Sequence, residues 1–183
     1  MCCTFNGSDG KDVYPDGKYD VTSASGVSAM RWGFLSGKRK IVNARAETLT
    51  YKFDGAFKNG RGIVKARGFY EWSANKQKFY YTNNSGEILL CALCRRDIDG
   101  NGTRFVQLDF LGGEQEADGG EPYRFVVITT AANMSVSPVH SRMPLIVSAD
   151  RADDWLYDGA FARKLLSSEM PTLNACKCGS ANV

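Results

Sequence analysis

Gly62-Ile63-Val64-Lys65-Ala66 and, after Arg67-Gly68, Phe69-Tyr70-Glu71-Trp72 are short runs of β-branched and aromatic residues. The same texture returns at 78–82, 88–93, 105–110 and 124–130, each run bounded by Gly, Asn or Asp. Asn83-Asn84-Ser85-Gly86 supplies turn chemistry between two of these runs, so 78–93 reads as a hairpin. Helical spacing is confined to two places. Leu49, Phe53, Ala56 and Phe57 form an apolar stripe on a helix of about three turns ending near Asn59-Gly60. A second helix is expected after Ser148, whose hydroxyl would cap it while Asp150, Asp153 and Asp154 favour its positive end and Trp155 and Leu156 face the core. Strands without regular alternation with helices predict an α+β chain: a mostly antiparallel mixed sheet curled into a partial barrel, with a few short helices.

The chain has 183 residues, the size of one ordinary domain, and 1–183 reads as one unit with a polar, loosely ordered end at 174–183. With 43% hydrophobic and 23% charged residues it is neither disordered, collagenous nor a coiled coil. No apolar run approaches the roughly 18 residues of a membrane span, and the N-terminus lacks the basic and apolar regions of a secretory signal. The expectation is a cytoplasmic monomer without membrane contact, its six cysteines reduced thiols. The single histidine, His140, rules out a multi-histidine metal site, and no metal or other cofactor is predicted.

A net charge of +3 conceals an uneven distribution. Residues 31–67 hold ten Lys and Arg against Glu47 and Asp54, whereas 97–121 hold seven acids against Arg104. The basic segment is either a solvated face or a footprint able to track a phosphate backbone. The glycines and acids of 109–121 read as a mobile surface loop inserted between two strands.

Four stretches carry potential chemistry. Cys2 becomes the first residue if Met1 is removed, and it then presents a free α-amine and a thiol on adjacent carbons, with reference pKa values of about 7.7–8.0 and about 8.5. An aldehyde would form a Schiff base with the amine, and the thiolate would close a five-membered thiazolidine; the plainer reading is an incidental terminal thiol. Asn43 and Arg45 share a face if 43–48 is extended, offering an amide to orient a reacting group and a guanidinium for a phosphate; alternatively Asn43 caps a helix and Arg45 is a surface cation. Trp32 is either core or a ring on which an unpaired base stacks. Glu71 lies on the strand face opposite Tyr70 and Trp72, so either the acid or the aromatics point inward. His140 follows an apolar strand in a loop beside Arg142, whose charge favours a neutral, proton-exchanging imidazole. Cys91 and Cys94 read as core thiols of a strand, and Cys176 and Cys178 as possible soft-metal ligands that nothing requires.

Together, Cys2, Arg31-Trp32-Gly33, Asn43-Ala44-Arg45-Ala46-Glu47-Thr48, Gly68-Phe69-Tyr70-Glu71-Trp72, Ile128-Thr129-Thr130 and His140-Ser141-Arg142-Met143-Pro144 resemble the SOS-response-associated peptidase (SRAP) family over residues 1 to about 156. The resemblance implies shielding of abasic sites in single-stranded DNA by a covalent DNA–protein crosslink, the peptidase label referring to self-processing that exposes the cysteine. It makes Cys2 the residue that captures the ring-opened sugar, Asn43 the residue that orients it, Glu71 the proton carrier of imine formation and His140 the assistant of sugar ring opening. Arg45 and Arg142 match phosphate contacts, and Trp32 an aromatic near the lesion. The pattern departs from the family at Cys3 and Thr4, where Gly-Arg is usual, and at 20–25, where Asn-Val-Ala-Pro is usual. An N-terminal-cysteine peptidase or amidohydrolase uses the same residues and is the alternative.

Overall fold

A computed structural model describes residues 4–96 and 123–179. In chain order the first strands are β1 (Phe5–Gly7), β2 (Asp12–Val13), β3 (Lys18–Ser23), β4 (Gly26–Trp32), β5 (Phe34–Ser36), β6 (Arg39–Ile41) and β7 (Asn43–Arg45). Two short helices, α1 (Leu49–Lys52) and α2 (Asp54–Asn59), lead into β8 (Arg61–Trp72), β9 (Lys78–Thr82), β10 (Ile88–Arg96), β11 (Tyr123–Ala131), β12 (Arg142–Pro144) and β13 (Ile146–Val147). Helices α3 (Ala152–Tyr157) and α4 (Gly159–Leu165) precede the last strand, β14 (Asn174–Lys177).

The two runs at 62–66 and 69–72 are one twelve-residue strand, β8, and its two halves do different work. Its first half pairs with β3 on one side and β10 on the other; β10 pairs with β11, β11 with β4, and β4 with β3. That circuit closes a five-stranded barrel, so the curled sheet is complete and leaves no open edge in this ring. All its neighbours are antiparallel except β11 and β4. The core is the barrel interior and the apolar layer between it and the helices, with Val64, Leu90, Phe125, Val127 and Trp155 among its fully buried members. The second half of β8 leaves the barrel, pairs with β1 and β9, and carries Glu71 out to one end.

The expected hairpin of 78–93 is not formed. Both β9 and β10 lie along the same long strand, β9 opposite 69–72 and β10 opposite 61–66, so 73–77 is the turn that reverses the chain, closed by the Ser73 amide on the Gln77 carbonyl. Asn83-Asn84-Ser85-Gly86 does turn, with Gly86 at φ 73°, but as an outward loop between two stretches that both face β8. Close approach at this junction requires Gly68: a Cβ there would stand 2.3 Å from the Tyr81 carbonyl oxygen.

The first predicted helix is divided. A 3₁₀ turn at Ala46–Thr48 leads into α1, and Phe53, at φ −134° and ψ 30°, separates α1 from α2. The apolar stripe is nevertheless real, with Leu49, Ala56 and Phe57 buried. After Ser148 the chain makes a 3₁₀ turn at Ala149–Arg151 before α3, and the serine hydroxyl makes no capping hydrogen bond; Trp155 and Leu156 are buried as read. The cap that forms is Asp158, whose carboxylate accepts the Ala160 and Phe161 amides at 2.7 and 3.1 Å. Asp158→Ala is expected to cost about 1 kcal/mol and lower Tm by about 2–4 °C, measured by thermal unfolding. Arg61 locks these helices to the barrel, donating to the carbonyls of Phe57, Trp155 and Leu156 at 2.8, 2.6 and 2.9 Å from a buried position.

At the far end, the segment expected to be loosely ordered supplies a strand: β14 pairs antiparallel with β9. Cys91 and Cys94 are buried core thiols, and burial pushes the Cys94 thiol up to about 12. The predicted strand at 105–110 and loop at 109–121 lie outside the described residues, as do Cys2 and Cys3. No helix among the described residues is long and apolar enough to cross a membrane.

Candidate active site

Strand alternation left two orientations for the second half of β8, and the structure puts the acid inside. Glu71 is 1% exposed, on the same face as buried Phe69, while Tyr70 and Trp72 turn outward and are half-buried. The outward aromatics have polar company: the Tyr70 hydroxyl donates to Asp12 at 3.0 Å, and the Lys78 ammonium sits 3.8 Å from the Tyr70 ring centre. Burial drives the Glu71 carboxyl above its ordinary value, with the neighbouring His140 ring pulling the other way.

His140 reaches the same place from another part of the sheet. After β11 the chain loops out and returns, the loop closed at its base by the Ala132 amide on the Ser141 carbonyl at 3.0 Å. Within it the His140 amide donates to the Val136 carbonyl at 3.0 Å, and the ring places Nδ1 3.9 Å from Glu71 Oε2. Nδ1 also lies 3.0 Å from the Arg142 amide nitrogen and 3.1 Å from the Arg142 carbonyl oxygen, so the ring can accept from the first in one tautomer and donate to the second in the other. A buried carboxyl beside an imidazole is an arrangement for moving protons.

Asn43 and Arg45 lie on β7, which runs parallel to β11 with Asn43 opposite Val127 and Arg45 opposite Thr129. The strand is extended, so the two side chains share a face; the Asn43 amide oxygen is buried and Arg45 is exposed. Glu47, just beyond, forms a two-pronged ion pair with Arg142, whose Nη2 meets Glu47 Oε2 at 3.0 Å and also donates to the Thr129 carbonyl. This pair ties the segment carrying Asn43 to the segment carrying His140, and it holds the Glu47 carboxyl below its usual range.

One expected DNA contact, Trp32, is corrected by this geometry, and a second, Arg142, is already engaged within the protein. Trp32 is wholly buried, tilted against Phe5 and stacked on Phe125, with its indole N–H on the Val42 carbonyl at 2.8 Å, so no base can stack on it. Arg142 is 18% exposed and committed to Glu47 and Thr129, so it acts as a tie between segments. The basic segment is also less of a groove than its count implied: Arg61 is internal, and Lys40 and Lys58 pair with Asp16 and Asp54 at 2.9 and 2.7 Å. The partnership of Glu47 with Arg142 was missed in the sequence, where the only signal was an acid within a basic stretch. Among the described residues no group of three or more His, Cys, Asp and Glu side chains is placed to hold a metal ion. The first described residue, Thr4, is buried, and its carbonyl accepts the Tyr70 amide at 3.0 Å, one residue from Glu71.

Comparison with known proteins bears on this arrangement. The profile of the family described as "SOS response associated peptidase (SRAP)" matches residues 9–178. The abasic site processing protein YedK of Escherichia coli K12 is 25% identical over an alignment taking in 93% of this chain and 76% of its own length. The abasic site processing protein HMCES of Xenopus tropicalis is 32% identical over 82% of this chain, which spans 48% of that relative. Among solved structures, a protein of Bacteroides thetaiotaomicron superimposes with a TM-score of 0.70 at 22% identity, covering 90% of this chain and 75% of that one. A phage-related protein of Bordetella bronchiseptica does so with a TM-score of 0.69 at 18% identity, covering 92% and 81%. The likeness to these structures is one of fold.

Proposed function

The chain belongs to the SOS response associated peptidase family, and from that premise we propose that it captures abasic sites in single-stranded DNA through a covalent bond to Cys2, shielding the lesion. The observation that carries this reading is the buried Glu71 carboxyl 3.9 Å from His140, beside the start of β1. Cys2 is two residues from Thr4, a covalent tether of at most about 7.6 Å between Cα atoms. The relatives' names, abasic site processing proteins, point to the same substrate.

In this reading His140 gives a proton to the sugar ring oxygen while the C1′ hydroxyl gives its own up to water, and the bond from C1′ to the ring oxygen breaks as the abasic deoxyribose opens to its aldehyde. Glu71 takes a proton from the Cys2 ammonium, and the free amine adds to the aldehyde carbon, forming a carbinolamine. Glu71 returns the proton to the carbinolamine hydroxyl, which leaves as water and produces the imine. The thiolate then adds to the same carbon while the imine nitrogen takes up a proton, closing the thiazolidine with a net loss of one water. Asn43 orients the amine and sugar, and Arg45, exposed on the same strand face, meets a phosphate.

The test is incubation of the protein with an oligonucleotide carrying one abasic site, beside an analogue whose sugar has no aldehyde. Expected is a heat- and detergent-stable conjugate with the first alone, its mass showing Met1 removed and one water lost. No conjugate, or equal conjugate with the analogue, overturns the proposal. Turnover of a peptide or amide in the absence of DNA would favour an N-terminal-cysteine hydrolase instead, the reading suggested by the family's name.

Arg45→Ala is expected to weaken non-covalent binding to single-stranded DNA several-fold and to reduce the salt dependence by about 0.7 in the log–log slope, read by fluorescence anisotropy at several salt concentrations.

A further inference from the structure

Tyr81 is a fully buried residue whose hydroxyl has no hydrogen-bond partner among the described residues. A phenylalanine would fill the same space without that cost, since a buried hydroxyl left unpaired loses its hydration and gains no hydrogen bond in return. Its position is informative. In the β8–β9 ladder Tyr81 stands opposite Phe69, and Glu71 stands opposite Phe79, so Tyr81 lies diagonally across from Glu71 on the same inward face. Diagonal neighbours in an antiparallel pair are within reach of aromatic and long side chains. The Tyr81 ring is held there by stacking on Phe69, centroids 5.3 Å apart and planes 17° from parallel.

We propose that Tyr81 is a positioning residue of this site, its hydroxyl a donor to the Glu71 carboxylate, the form that takes the Cys2 proton and reappears when that proton is handed on. The inference rests on the capture reading above. Glu71 begins and ends each transfer in one protonation state and passes through the other, so the surroundings must accept both forms. The carboxylate already has the Trp72 backbone beside it, and, held away from water, it gains more from a further donor than the neutral acid does. Burial and the negative charge of Glu71 both push the Tyr81 phenol above its ordinary value, which keeps it protonated and therefore a donor. An acid that must ionise inside the protein thus has a hydroxyl beside it that no other group occupies.

The experiment is single-turnover crosslinking to an oligonucleotide with one abasic site, comparing wild type, Tyr81→Phe, Glu71→Gln and the double variant over a range of DNA concentrations. Tyr81→Phe is expected to lower the maximal rate about tenfold to a hundredfold, the effect of losing a hydrogen bond to a charged group. The half-saturating DNA concentration should stay unchanged, and Tm should be equal or higher. In the Glu71→Gln background the same change should have little further effect, because its action passes through the carboxylate. Wild-type rate in Tyr81→Phe, or an equal fold-loss in both backgrounds, overturns the inference while leaving the capture reading in place. A wild type that forms no conjugate overturns both.

Discussion

With Cys2 replaced by alanine, the heat-stable conjugate with abasic DNA is expected to vanish, and to return when borohydride is present during the incubation. Alanine is small, so Met1 is still expected to be removed and a free α-amine of about the same basicity remains. That amine can form the imine, which water hydrolyses; without the thiol there is no second bond to the aldehyde carbon. Borohydride reduces the imine to a secondary amine and so makes the first step visible. The two halves of the result separate the roles of the two nucleophiles on one residue. Capture should fall at least about a hundredfold without reductant, because the thiolate is the only group that converts the reversible adduct into a ring. A full yield of stable conjugate from Cys2→Ala would assign capture to another nucleophile, with Cys3 the first to examine through Cys3→Ser.

Much of the fold was legible because β-branched and aromatic runs mark strands, and β8, β9, β10 and β11 all lie where such runs occur. Their pairing was less legible. Asn83-Asn84-Ser85-Gly86 has the chemistry of a chain reversal, but turn residues report only that the backbone bends. That β9 and β10 both face β8 depends on the length of β8 and on the close approach at Gly68. The division of the first helix at Phe53 was invisible for a similar reason, since the apolar stripe is kept on both sides of the break. At the site, the motifs located Glu71 and His140, and the structure brings them together. Alternation in a strand cannot say which face is inner; for Glu71 the choice is tied to Lys78 and Asp12, which engage the aromatics on the outer face. Trp32 and Arg142 show the limits of residue type. An aromatic or a cation in a basic stretch is compatible with a nucleic acid, and only packing reveals that one ring is enclosed and one guanidinium already forked onto Glu47.

Glu71→Gln is expected to slow crosslinking by about 10²–10⁴-fold while leaving the DNA concentration for half-maximal rate unchanged. Glutamine keeps the shape and an acceptor oxygen but cannot carry a proton from the ammonium to the departing hydroxyl. Stability should move in the opposite direction, and its pH dependence follows from the raised carboxyl. A group whose folded pKa lies above its unfolded value binds its proton more tightly when folded. The stability from that tighter proton binding is fully present below the unfolded value near 4.5 and is lost as pH rises through the folded value, where burial penalises the charge. Glutamine has no charge to penalise, so the Tm of the variant should exceed that of wild type by an amount that grows across this window and levels off above it. Thermal unfolding from acid to neutral pH, beside crosslinking rates on the same samples, reads both effects. A variant that is slower and equally or more stable at neutral pH identifies Glu71 as chemistry built at the expense of stability. A variant that loses rate and stability together at every pH would make the carboxyl a structural element, and the proton transfers would then have to be carried by His140.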